Sequence, residues 1–205
     1  GWRIGPPAGR LRAGAVLVAS NAYGEGAAAK ATPRTSVVHF FQLATAPMTL
    51  QQQRHILPGL QGCWDTGLIM SSYRRDAAGR LILGAMGRPD LLGLHRSWAR
   101  RKLARMFPLL ANCDVQGFWS GRIAMTTDHI PKILSPGANA LTIFGYSGRG
   151  IGPGSLFGKD AAMALLDGDF DRLPVSIQSA YRAHFTAAKS LFYETGARLV
   201  HGLQR

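Results

Sequence analysis

Cysteine is scarce in this 205-residue chain, with Cys63 and Cys113 the whole complement. No CxxC pair and no histidine at ligand spacing accompanies them. A disulfide scaffold and a zinc site are therefore excluded, and two reduced thiols in a cytoplasmic protein are the expectation. Acid is also in short supply: 11 Asp+Glu stand against 24 Lys+Arg, a formal net charge of +13. Long apolar runs are missing too. No stretch approaches the ~18 apolar residues of a spanning helix, and residues 1–24 carry no charged-then-apolar leader. There is no internal repeat and no low-complexity segment. Charged residues make up 17% of the chain and hydrophobic ones 46%, which excludes a disordered protein and leaves a globular one with a core.

The basic excess would attract nucleic acid or an anionic surface if it were concentrated. It is mostly scattered. The one dense stretch, Arg96, Arg100, Arg101, Lys102 and Arg105, has helical spacing and reads first as a solvated helix face. Nucleic acid and membrane are accordingly not the expected partners.

The elements follow from hydrophobic periodicity and turn residues. Ala15–Ser20 is a short continuous apolar run, as in a parallel strand buried on both faces. Before it, a strand and a basic return flank a turn at Gly5-Pro6-Pro7. Lys30–Arg34 reads as a connector and Val37–Thr45 as a β-branched and aromatic strand. Gln51–His55 makes a helical turn, and Leu68–Arg74 and Arg80–Met86 form a hairpin around Asp76-Ala77-Ala78-Gly79. Ser97–Phe107 is predicted as an amphipathic helix capped by Ser97, with Trp98, Leu103, Met106 and Phe107 on one side. Val115–Thr126 and Leu141–Phe144 are strands and Leu156–Leu166 is a helix. A last helix is predicted from about Ser176 into the 190s, with Ile177, Tyr181, Phe185, Ala188, Leu191 and Phe192 on its apolar face. Trp64, Trp98 and Trp119 are expected in the core.

The most telling segment is residues 141–166, where a strand empties through Gly145, Gly148, Gly150, Gly152 and Gly154 into a helix. Such a turn sets bare backbone N–H groups and a helix N-terminus beside a ligand with electron-rich oxygens. It satisfies GxGxxG in no frame, since counting from Gly148 the last position is Pro153. A dinucleotide pyrophosphate fingerprint is excluded. By itself the turn is equally a close packing of strand on helix.

Four segments in order carry a resemblance. Residues 145–168, GYSGRGIGPGSLFGKDAAMALLDG, resemble the C-terminal flavin-contacting segment of FAD-dependent oxidoreductases of the D-amino-acid oxidase/glycine oxidase superfamily, in the branch with the γ-glutamylputrescine oxidases. Residues 13–24, AGAVLVASNAYG, resemble the strand by which that fold leaves its first FAD-binding section. Residues 73–87, YRRDAAGRLILGAMG, resemble the substrate-domain hairpin, and residues 118–133, FWSGRIAMTTDHIPKI, the strand and loop that return to the FAD domain.

The resemblance implies an α+β fold. Residues 1–32 and 116–205 would form an incomplete α/β FAD-binding unit with a terminal helix, and residues 33–115 an inserted, mainly antiparallel substrate-domain sheet. It implies non-covalent FAD, because neither cysteine matches the attachment thiol of flavinylated members. Tyr146, Ser147, Gly148, Arg149, Gly150 and Ile151 would lie along the flavin ring, with Ala19 also at the cofactor. Fixed donors and a positive helix end there favour the negative charge that reduction places on the ring. Arg149 either faces flavin or substrate or pairs on the surface.

On the substrate side the resemblance implies Arg122 near the active site, where a guanidinium fork suits a carboxylate; an ion pair with Asp128 is the other reading. His129 is a candidate base or a structural turn residue. Tyr73 and Arg74 would line the pocket or merely pair in the hairpin. The implied reaction oxidises a small amine or amino acid at its C–N bond, with hydride passing to the flavin.

Family members begin with a βαβ unit carrying GxGxxG and a later acidic residue, and neither is found here. The expectation is therefore a C-terminal half, a fragment or one part of a split enzyme. Another chain would supply the N-terminal FAD-binding half, and this chain alone would bind FAD weakly or not at all. The competing readings are a basic non-enzymatic binding module and a degenerate fragment without activity.

Overall fold

The computed structural model describes residues 1–5, 9–89 and 92–204. Much of the expected Gly5-Pro6-Pro7 turn lies outside them. The fold is α+β, and its packing divides the chain into one unit of Gly1–Val37 with Ile123–Ala187 and another of Val38–Arg122 with Ala188–Arg205. The C-terminal residues thus pack with the middle of the chain, whereas the sequence groups them with the glycine-rich turn.

The first unit opens with β1 (Trp2–Ile4) and β2 (Leu11–Ala13), an antiparallel pair, then β3 (Val16–Val18) and a short helix α1 (Gly26–Ala31) that runs into the start of the expected Lys30–Arg34 connector. A second sheet is built from β3 together with β9 (Lys132–Gly137), β10 (Ala140–Phe144) and β11 (Ile177–Gln178), in the order β11-β9-β10-β3. β10 runs parallel to β3 and antiparallel to β9. The expected parallel pairing of the AVLVAS run is present, although β3 is half-buried rather than buried on both faces.

β10, buried at every position, packs under helix α4 (Ile151–Asp167), and the core joins Ile133, Leu141 and Ile143 to Phe157 and Ala161. α4 starts five residues before the predicted Leu156. Gly152 and Gly154 are weak helix formers, but Pro153 tolerates the first turn because no intrahelical partner awaits its missing N–H. Gly168 ends the helix in the left-handed region at φ 76°.

The second unit carries β5 (Cys63–Trp64), β6 (Ser72–Arg75), β7 (Leu81–Met86) and most of β4 (Ser36–Thr45) and β8 (Val115–Met125), in the order β5-β6-β7-β4-β8. Strands β4 to β7 pair antiparallel. Phe41, Leu43, Tyr73, Leu81, Leu83 and Ala85 form one buried face of it, packed against α3 (Leu94–Met106). α3 begins ahead of Ser97, led in by Gly93 at φ 66°, because its buried stripe starts with His95 and runs through Trp98, Ala99 and Leu103. Met106 lies outside that stripe and is exposed. Of the tryptophans expected in the core only Trp98 is there; Trp64 and Trp119 are exposed.

Helix α2 (Leu50–His55) is held by a capping box in which Thr49 Oγ1 accepts from the Gln52 amide and Gln52 Oε1 accepts from the Thr49 amide. Thr49→Ala removes one of these bonds and should cost about 1 kcal/mol in urea unfolding. Thr49→Ser should cost much less.

The last helix, α5, is Thr186–Leu203. Ile177 and Tyr181 lie outside it, Ile177 in a strand parallel to β9. Its buried residues are Ala197 and His201, while the predicted apolar face of Leu191 and Phe192 is exposed. Close approach through a small residue and ring stacking of His201 on Trp98, with centroids 3.7 Å apart, outweigh the pull of the larger apolar side chains.

Candidate functional site

β3 and β10 end side by side, and the chain that leaves them builds the candidate site. Ligands in open α/β sheets gather at the carboxyl ends of parallel strands, where backbone polar groups emerge from the ladder. After β10 the chain turns sharply. Gly145 sits at φ 81°, and Ser147 at φ 53° and Gly148 at φ 84° occupy the middle of a tight turn closed by the Arg149 amide donating to the Tyr146 carbonyl at 2.9 Å. Two consecutive positive φ values are what a type I′ turn requires.

Neighbouring segments fix this turn. The Gly145 amide donates to Asn21 Oδ1 at 2.9 Å, just past the end of β3. Ser147 Oγ accepts from the Thr126 amide at 3.1 Å and donates to the Gly145 carbonyl at 3.1 Å. Thr126 Oγ1 in turn donates to the Ile130 carbonyl at 3.0 Å. Gly145 leaves no room for a side chain, as a Cβ there would overlap Thr126 Cγ2.

So braced, the turn presents donors. The amides of Gly148, Gly150, Ile151 and Gly152 have no acceptor among the described residues. Gly148, Ile151 and Gly152 are exposed, and α4 has no acidic residue in its first turn to offset its positive end. Around Gly148 the space is open: a Cβ there would meet only Ile123 Cδ1, at 3.9 Å, so the need for glycine is conformational. A Cβ at Gly150 would touch only the Tyr146 side chain. Ser20 Oγ, at the end of β3, is buried with no partner among the described residues. Free amides, an uncompensated helix pole and an orphaned hydroxyl suit a planar group rich in carbonyl oxygens and ring nitrogens, which is the chemistry of a flavin ring.

The sequence-predicted residues fall in several places. Tyr146 turns its ring back against Phe157, with centroids 6.0 Å apart, so only its backbone belongs to the turn, and burial raises its phenol pKa. Arg149 and Ala19 are exposed, Ala19 directly after β3. His129 is exposed in a turn at φ 59°. Its neighbour Asp128 pairs with Lys132, and that bond holds the carboxyl below its ordinary range.

Arg122, Tyr73 and Arg74 belong to the second unit. Arg122 is exposed on β8, and its charge helps lower the pKa of His39 after burial and against Glu194. Tyr73 is a core residue, its ring edge-on to Phe107, and burial is the main cause pushing its phenol up to about 12. Arg74, next to it on β6, points to the opposite face and is exposed. Sequence reasoning does not single out Asn21 and Thr126, which lock the turn. Asn directly after a strand is the available signal, since it tolerates the left-handed region that Asn21 adopts at φ 48°.

The fold is shared with solved structures of a glycine oxidase and an L-proline dehydrogenase. Glycine oxidase from Geobacillus kaustophilus superposes with a TM-score of 0.60 at 19% identity, over 88% of this chain and 49% of its own. L-proline dehydrogenase from P. horikoshii superposes at 0.57 and 17% identity, over 99% of this chain and 51% of its own. The chain belongs to the FAD dependent oxidoreductase family (DAO), whose sequence profile matches residues 1–164.

In sequence it is 28% identical to "Probable oxidoreductase OrdL" of Haemophilus influenzae, over 67% of this chain and 31% of that protein. It is 26% identical to Gamma-glutamylputrescine oxidoreductase of Escherichia coli, over 93% of this chain and 47% of that protein. The chain thus spans half or less of the length of these relatives. No helix among the described residues is long and apolar enough to cross a membrane.

Proposed function

We propose that this chain supplies the flavin-ring end of the cofactor site in an FAD-dependent oxidoreductase acting on an amine or amino acid. The braced turn with four unpartnered amides, at the carboxyl ends of β3 and β10, carries this reading in a chain of this family. When bound, FAD would take the hydride from the substrate C–H beside nitrogen, leaving an imine. The amides of Gly148, Gly150, Ile151 and Gly152 and the positive end of α4 would bind the carbonyl edge of the ring. They would stabilise negative charge there without reorganising, because Asn21, Thr126 and Ser147 already hold the turn. Arg122, exposed on β8, is the proposed partner of a substrate carboxylate.

The chain has no dinucleotide fingerprint, so the pyrophosphate and adenosine of FAD would be held by a segment or partner chain outside these residues. The isolated chain should accordingly leave a desalting column without stoichiometric flavin, read by its visible absorbance. Retained yellow flavin would overturn this division of labour. The function is tested by fusing this chain to the portion of the Escherichia coli relative that it does not match. Anaerobic bleaching of the bound flavin by an amine or amino acid is the expected result. A yellow hybrid bleached by no amine or amino acid would overturn the substrate class, and a hybrid that takes up no flavin would overturn the cofactor reading.

A further inference from the structure

The β1–β2 pair brings arginines together at the other end of β3. Its register sets Arg3 directly opposite Arg12, and Arg10, just before β2, lines the same concavity. The opposite face is anchored, as Trp2 Nε1 donates to the Ala138 carbonyl at 2.8 Å and its ring covers Gly137. The arginine face is not anchored. Arg3, Arg10 and Arg12 are exposed, and no acidic side chain pairs with any of them among the described residues. They line a concavity of about 400 Å³ together with Ile4, Gly5 and Leu11.

Like charges directly opposite on paired strands repel and destabilise the pair. Three of them converging on one concavity, without a counter-charge, form an arrangement that an anion would relieve. Guanidinium forks match the oxygens of phosphate in pairs. The volume falls within the range of small-ligand pockets, larger than a simple ion needs. β2 leads into the amino end of β3, whereas the glycine-rich turn follows the carboxyl ends of β3 and β10, so the two features lie at opposite ends of the same strands.

We propose that Arg3, Arg10 and Arg12 form a second anion site, separate from the flavin-ring turn, that takes a phosphorylated small molecule. Binding places phosphate oxygens between Arg3 and Arg12, with Arg10 closing the site from the strand entrance. Occupancy relieves the repulsion and stiffens the hairpin.

The test uses the full chain and sodium pyrophosphate as the probe, with sodium chloride at matched ionic strength as control. Calorimetric titration should show saturable binding of pyrophosphate that weakens at least tenfold in Arg12→Gln. In the absence of ligand, Arg12→Gln should melt at or above the wild-type temperature, because the facing repulsion is gone; that separates lost binding from lost folding. Arg149→Gln, at the glycine-rich turn, should leave pyrophosphate binding unchanged. Pyrophosphate that acts no differently from chloride would overturn the proposal, as would binding that survives Arg12→Gln. Retention of a short DNA duplex that depends on Arg12, without binding of pyrophosphate, would assign the face to polynucleotide and would also overturn it.

Discussion

Gly145→Ala should destabilise the first unit by about 2–4 kcal/mol, read as a shift of the urea unfolding midpoint. Two costs combine. Gly145 sits at φ 81°, where an L side chain costs about 1–2 kcal/mol. The new methyl would also overlap Thr126 Cγ2, and the surroundings must relieve that overlap by moving. Thr126 is buried and its hydroxyl is bonded to the Ile130 carbonyl, so it has little freedom to give way.

The two costs separate in a double-mutant cycle. Thr126→Ser deletes Cγ2 and keeps the hydroxyl, so adding it to Gly145→Ala should recover the overlap part, about 1 kcal/mol or more, and leave the backbone part. If Gly145→Ala unfolds at the wild-type urea concentration, the turn is not held in the conformation described. If the double variant recovers nothing, Thr126 is not the wall. In a flavin-loaded hybrid the same substitution should weaken flavin retention, because the free amides follow directly from Gly145.

That wall shows what the sequence can and cannot reveal. The strand–turn–helix at 141–166 is legible because a short apolar run and an amphipathic helix meet across a glycine cluster, and it is one of the four segments that carry the family resemblance. Thr126 is not legible as a site residue. A threonine at a strand end has no local feature announcing that its methyl will fill the space above a glycine 19 residues later. Tertiary contacts of this kind have no sequence period.

The helix boundaries depart from the sequence expectation for a related reason. α4 starts at Ile151 because Pro153 is acceptable in a first turn and Phe157 pins the next one, against the low propensity of Gly152 and Gly154. In α5 apolarity does not mark the buried side. The buried residues are Ala197 and His201, and Phe192 faces outward. A histidine in a stacked pair buries as well as an aromatic residue, and hydropathy alone does not reveal its partner.

The same buried histidine governs the second large effect: the second unit should lose stability steeply as pH falls from about 6.5 to 5. His95 and His201 are both fully buried, with their Nδ1 atoms 2.7 Å apart. One must donate and the other accept, so the pair has no place for a proton on both facing nitrogens. Burial first, then the charges of His95 and Lys102, lower the His201 pKa to about 3. His39, nearby on β4, is lowered mainly by burial, against the pull of Glu194.

Glu194 lies 3.8 Å from His95 Nε2 and 3.8 Å from His39 Nδ1, but it is shared with the Arg88 amide and with Arg198. Arg101 faces the end of α5 through the His201 and Gln204 carbonyls. Among the described residues Lys102, Arg101 and Arg198 thus stand around the pair, with Lys102 itself bonded to Asp65.

Unfolded histidine binds a proton below about pH 6.5. Folded His201 refuses it until about 3, so in that window the unfolded state holds more protons and stability falls with pH. The slope for one such group is about 1.4 kcal/mol per pH unit, or about 2 kcal/mol between pH 6.5 and 5. Asp65 and Asp128 have pKa values held below the ordinary 3.8, so their loss of stabilisation belongs to lower pH and does not confuse this window.

His201→Asn keeps a polar atom near the position of Nδ1 but does not titrate. It should be less stable at pH 8, having lost the stack on Trp98. Its unfolding free energy between pH 6.5 and 5 should nevertheless be flatter than that of the wild type by about one proton's worth of slope. Parallel curves for the two proteins would show that His201 is protonated in the folded chain, in conflict with a buried nitrogen facing His95 at 2.7 Å.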